Sequence, residues 1–114
     1  MKKNIAVLSM LLFGFTTTPV LAGEKQLSGS ELFKYHGCIN CHGAESKKPV
    51  SKVVPVLAGK PADELFDKSK KILSGEKVGK ESGIMHSAFY SPSQCDSPPT
   101  DEELHKITAW LSQI

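Results

Sequence analysis

The chain of 114 residues contains no arginine, so 14 lysines carry all of its fixed positive charge. No stretch alternates apolar and polar residues with the period of two that a half-buried strand requires, which argues against a β or mixed fold. No internal repeat is visible, and the length leaves room for one domain but not two. The longest apolar stretch, Ile5 to Phe15, covers 11 residues and is broken by Ser9 and Gly14. A spanning helix needs about 20 apolar residues, so this stretch is too short to be one. What the sequence does have is an apolar fraction of 39% beside 23% charged residues, an ordinary globular balance that excludes wholesale disorder.

The short apolar stretch instead reads as the centre of a secretory leader. Met1-Lys2-Lys3 supplies the basic start, and Val20-Leu21-Ala22 ends in a residue that signal peptidase accepts. An uncleaved membrane anchor is the competing reading. No cysteine follows the proposed cut, which argues against a lipoprotein. The expected organisation is a signal peptide over residues 1–22 and a domain over 23–114, which places the protein in the periplasm. Without the leader, 12 lysines face 12 acids, so the mature chain has no formal charge. The weak basicity of the whole chain is therefore no sign of nucleic-acid binding. The charge is uneven, however. Residues 44–81 carry nine lysines and six acids, whereas residues 82–114 carry one lysine and four acids.

Cysteine is scarce, and the count of three is odd. In an oxidising compartment an even count would read as disulfides. Two of the three instead lie in Cys38-Ile39-Asn40-Cys41-His42, the C-x-x-C-H attachment signature of c-type haem. Thiols three positions apart on a helical turn can each add to a vinyl group along one porphyrin edge. The next residue, His42, then lies under the ring and can coordinate iron. A thioredoxin-like redox pair would need a βαβ setting, and nothing strand-rich precedes Cys38. A zinc site would need a second ligand cluster, and Cys95 stands alone.

Helix signals surround the motif. Ser28-Gly29-Ser30-Glu31 is a capping box that opens a helix from about Gly29 to Tyr35, with Gly29 and Phe33 on one face. A second helix is expected with Pro61 in its first turn, acids at its start, lysines near its end and Gly75 as its stop. A third opens with Thr100-Asp101-Glu102-Glu103. It carries an apolar stripe at Leu104, Ile107, Leu111 and Ile114, with Trp110 beside it. Leu57, Leu65, Phe66, Ile72 and Phe89 are expected to line the cofactor pocket.

These pieces, in this order, resemble the class I monohaem cytochromes c. The resemblance runs from Gly29 to Trp110 through the haem motif, Pro55-Val56-Leu57-Ala58-Gly59 and Gly83-Ile84-Met85-His86-Ser87-Ala88-Phe89. It implies an all-α fold of about three main helices and loops wrapped around one covalent haem c, with the first and last helices crossing. It also implies that the Pro55 carbonyl accepts a hydrogen bond from His42 Nδ1–H, leaving Nε2 for iron. Sulfur candidates for the sixth ligand in the mature chain are Met85 and Cys95. The family register selects Met85, in a loop between two helices, over its neighbour His86.

The cofactor-binding set is thus Cys38, Cys41, His42, Pro55 and Met85, with His42 and Met85 as the metal ligands. Filling both axial positions suits a soluble one-electron carrier that exchanges electrons with redox partner proteins and has no small-molecule substrate. The alternative is the haem subunit of a catalytic oxidoreductase, a peroxidase or sulfur-compound oxidase. A haem sensor would need an output domain for which the chain has no room. The resemblance implies an exposed haem edge, which some of Lys47, Lys48, Lys52, Lys77 and Lys80 can ring to steer acidic partners, against the alternative of an ordinary solvated surface. Cys95 cannot pair within the chain once two thioethers form. Its expected role is a disulfide between chains, against the alternative of a buried, inert thiol.

Overall fold

The structure is a computed structural model that describes Gly14, residues 26–91 and residues 97–114. The expected leader, Gly14 apart, and Cys95 lie outside the described residues. Five helices follow one another: α1 (Gly29–Tyr35), α2 (Ile39–His42), α3 (Ala62–Leu73), α4 (Ser82–Phe89) and α5 (Asp101–Ser112). No strand occurs among the described residues, and the fold is all-α.

Both capping boxes form. Ser28 Oγ accepts from Glu31 N–H at 3.3 Å while the Glu31 carboxylate accepts from Ser28 N–H at 2.8 Å. At α5 the reciprocal pair between Thr100 and Glu103 spans 3.2 and 3.0 Å. Each cap satisfies N–H groups that the helix itself cannot, for about 1 kcal/mol. Pro61 stands one position earlier than expected, as the extended cap of α3 with ψ 134°. Gly75 follows the end of α3 at φ 84°, a left-handed turn that favours glycine.

The core lies where α1, α3 and α5 meet. Leu32 and Phe33 of α1, Leu65 of α3, and Ile107 and Leu111 of α5 are buried together. The α1–α5 crossing is closest at Gly29. A β-carbon there would stand 2.7 Å from Trp110 Cβ and would collide with the Lys106 carbonyl oxygen. Phe33, one turn later, packs its ring 5.4 Å from the Trp110 ring. The crossing implied by the sequence is therefore present. Leu65 serves this interhelical core, and Phe66 lies flat on His105 of α5, with centroids 3.9 Å apart and planes 7° apart. These two side chains hold α3 to α5.

A second departure concerns Met85, expected in a loop. It lies in α4, a helix of two turns with no side-chain cap at its N-terminus. An isolated helix this short is marginal in water, and Gly83 and Ser82 do not favour it. Contacts beyond the segment hold it instead. His86 and the Tyr90 hydroxyl donate to the carbonyls of Ile72 and Leu73, and α4 packs on the end of α3.

The start of α5 is also tied to the end of α1. His36 Nε2–H donates to Glu103 Oε2 at 3.0 Å, with the His36 side chain 4% exposed. Burial pushes the Glu103 carboxyl up, but hydrogen bonds from the Thr100 N–H and His36 outweigh it and hold the pKa below 4.5. A carboxyl depressed in the folded state stabilises the protein above its unfolded pKa, and that contribution is lost as pH falls through the folded value. Between about pH 5 and pH 3 the melting temperature of wild type should fall more steeply than that of Glu103→Gln. The amide keeps the capping geometry and removes the titration. Parallel curves would show that the pair adds no pH-dependent stability.

Candidate haem site

Cys38, Cys41 and His42 occupy a single helical turn directly after α1. The N–H groups of Cys41 and His42 both donate to the Cys38 carbonyl, at 3.3 and 3.0 Å. Cys38 N–H donates to the Phe33 carbonyl at 3.0 Å, so the turn is fixed to the core helix. Cys38 is half-buried against the core and Cys41 is exposed. His42 is 5% exposed, with its ring centroid 6.4 Å from that of Phe33.

The orientation of His42 is set from the following loop. Its Nδ1–H donates to the Pro55 carbonyl at 3.0 Å. Among the described residues Nε2 has no hydrogen-bond partner. Burial lowers the His42 pKa below 6.5, against the opposing pull of the Pro55 carbonyl. The ring is therefore neutral at pH 7 and presents a lone pair at Nε2, the form in which imidazole binds a metal.

Ser46 holds the loop that carries Pro55. It is completely buried and sits in the left-handed region at φ 52°, uncommon for a residue with a side chain. Its hydroxyl and its carbonyl both accept from Leu57 N–H, at 3.0 and 3.2 Å, and its own N–H donates to the Gly43 carbonyl at 3.2 Å. Val50 N–H donates to the Cys41 carbonyl at 2.9 Å, and Gly59 N–H donates to Leu111 of α5 at 2.8 Å. The loop is thus pinned at both ends, with Pro55 between the pins. Sequence reasoning missed Ser46 and the His36–Glu103 pair, because neither has a local pattern. Both depend on partners that only the folded chain brings close.

Met85 is half-buried on α4. The imidazole next to it is tied to α3 through Nδ1. His86 Nδ1–H donates to the Ile72 carbonyl at 2.7 Å, and its ring packs 5.1 Å from that of Tyr90. The remaining histidines are committed too, His36 to Glu103 and His105 to the face of Phe66. Of the four histidines in the sequence, His42 alone is fully buried with its Nδ1 bound to a backbone carbonyl, and His86 makes the same kind of bond from a half-buried position.

The donor set fits a haem: two thiols on one turn, an oriented neutral imidazole beside them and a thioether on another helix. Exposed apolar side chains also flank the motif, Val50 at 69% and Val53 at 61%. The family model for cytochrome c matches residues 27–114, and the chain belongs to the cytochrome c family. Membership brings one covalently attached haem c and haem-based electron transfer. No curated protein matches the chain.

Proposed function

We propose that the protein is a periplasmic one-electron carrier, with thioethers at Cys38 and Cys41 and axial ligation by His42 and Met85. The observation that carries this reading is the Pro55–His42 hydrogen bond, which fixes a buried, neutral imidazole with Nε2 unpartnered. When bound, the haem supplies a reversible Fe(III)/Fe(II) couple. The chain supplies a fixed ligand on each side, so one-electron change needs little rearrangement. The family register favours Met85 over His86 as the second ligand. The apolar stretch before Ala22 favours export as a leader.

A carrier needs no open coordination position, so the reduced holoprotein should refuse carbon monoxide at neutral pH while cycling reversibly with chemical oxidants. Rapid carbon monoxide binding by wild type would overturn the carrier reading and favour a catalytic haem subunit.

Electron exchange is proposed to run through the face beside the haem motif. Lys47, Lys48 and Lys52 are exposed there around Val50 and Val53, and Lys77 and Lys80 are exposed before α4. Lys47 is partly offset by Glu45 at 3.4 Å, an exposed pair of small energetic weight. An apolar patch rimmed by lysines suits an acidic partner, whose attraction is screened over about 8 Å at physiological salt. Second-order transfer rates to an acidic partner should therefore fall as salt rises. Rates that stay flat or rise would exclude steering by these lysines.

A further inference from the structure

The helix that carries Met85 has little to hold it by itself. It spans two turns, begins without a side-chain cap, and leaves Ile84 66% exposed. Its helical neighbour is α3, and two polar side chains make the junction. His86 Nδ1–H donates to the Ile72 carbonyl at 2.7 Å, and the Tyr90 hydroxyl donates to the Leu73 carbonyl at 2.9 Å. Both acceptors belong to the last turn of α3, and the Ile72 carbonyl also takes the Gly75 N–H at 3.0 Å. The two rings also pack on each other, with centroids 5.1 Å apart. A β-carbon at Gly75 would stand 3.8 Å from His86 Cε1, on a backbone already in the left-handed region.

We infer that His86 and Tyr90 are positioning residues that clamp α4 onto the C-terminal end of α3 and so keep Met85 at the haem iron. The inference rests on the proposed ligation by Met85. The geometry explains why the two residues work together. His86 follows Met85 by one position, about 100° around the helix, so anchoring its ring on α3 fixes the rotation of α4. Tyr90 sits at the C-cap, five positions after Met85, and fixes the far end. With both bonds made, α4 can neither roll nor lift. With both lost, the helix keeps only a modest apolar contact, and the Met85 thioether spends more time away from the metal.

The test measures how often the Met85 position opens, using imidazole binding to the oxidised holoprotein and carbon monoxide binding to the reduced one. Tyr90→Phe removes one hydroxyl and leaves the ring. His86→Leu removes the other donor, and His86→Asn keeps an N–H near the Nδ1 position. Loss of one such bond should speed ligand entry roughly fivefold, and loss of both roughly twentyfold or more. The near-infrared band of the sulfur–iron bond should weaken in the double variant at temperatures below global unfolding. His86→Asn should stay near wild type.

Ser74→Ala is the control. Ser74 Oγ hydrogen-bonds at the same end of α3, to the Lys71 carbonyl and the Glu76 carboxylate and not to α4, so entry rates should not change. A double variant that binds at the wild-type rate, or a Ser74→Ala that opens as readily as the double variant, overturns the clamp. Failure of the ligand assignment is separable, because it requires Met85→Ala itself to retain the near-infrared band.

Discussion

Met85→Ala should abolish the near-infrared band of the oxidised holoprotein, admit carbon monoxide to the reduced form and lower the reduction potential. The three effects share one cause. A thioether sulfur favours the ferrous state, and a methyl group cannot replace it as a ligand. Axial ligands span about 0.8 V among haem proteins, so a fall on the order of 0.1–0.3 V is the expected scale. Stability should change little by comparison, because Met85 is half-buried and outside the buried cluster of α1, α3 and α5. This separation makes the experiment decisive. A variant that melts near wild type yet keeps its band and potential would show that another residue holds the position.

The second large effect is expected at Gly29, where two physical arguments give opposite signs. Gly29 lies in the first turn of α1, and replacing glycine by alanine inside a helix gains up to about 1 kcal/mol from propensity. The crossing outweighs that gain. A methyl at position 29 would fall on the Lys106 carbonyl and Trp110 Cβ, which are backbone and near-backbone atoms of a buried helix. Neither can swing aside as a surface side chain would, so α5 has to shift. Overpacking of this kind costs about 1–3 kcal/mol, or roughly 5–20 °C in melting temperature for a domain of this size. Thermal unfolding of Gly29→Ala followed through the haem absorption is the measurement. A melting temperature at or above wild type would mean that α1 and α5 can part far enough to admit the methyl without loss.

Much of this is legible in the sequence because several determinants are local. The caps of α1 and α5 need only four consecutive residues each, and the haem motif needs five. The helical stripe from Leu104 to Leu111 shows in its spacing alone, and those positions are buried together with Thr108. The misreadings fall where partners are distant. Met85 reads as loop because the residues around it favour no helix, and α4 forms by docking on the end of α3. The stacking of Phe66 on His105 is not legible, because an aromatic on an apolar face gives no hint of which surface it will meet. The His42–Pro55 contact is legible only through family resemblance, since the two groups lie 13 positions apart along irregular chain. Ser46, which fixes that irregular chain, looks like any surface serine until its burial is seen.

The junction of α1 with α5 joins the early and late parts of the chain, and His36 and Glu103 lie 67 residues apart in sequence. It acts as a buckle, and the chain between its halves acts as a belt. The entropy of closing such a loop grows only with the logarithm of its length, so doubling the belt would cost about 0.6 kcal/mol. Lengthening the exposed turn between α3 and α4 is therefore cheap, while one methyl group in the buckle is dear. Tolerance to change in this protein should follow distance from Gly29 and Trp110 more closely than the number of residues altered. Insertions after Glu76 should leave the cofactor cage intact under conditions where a single added carbon at position 29 opens it.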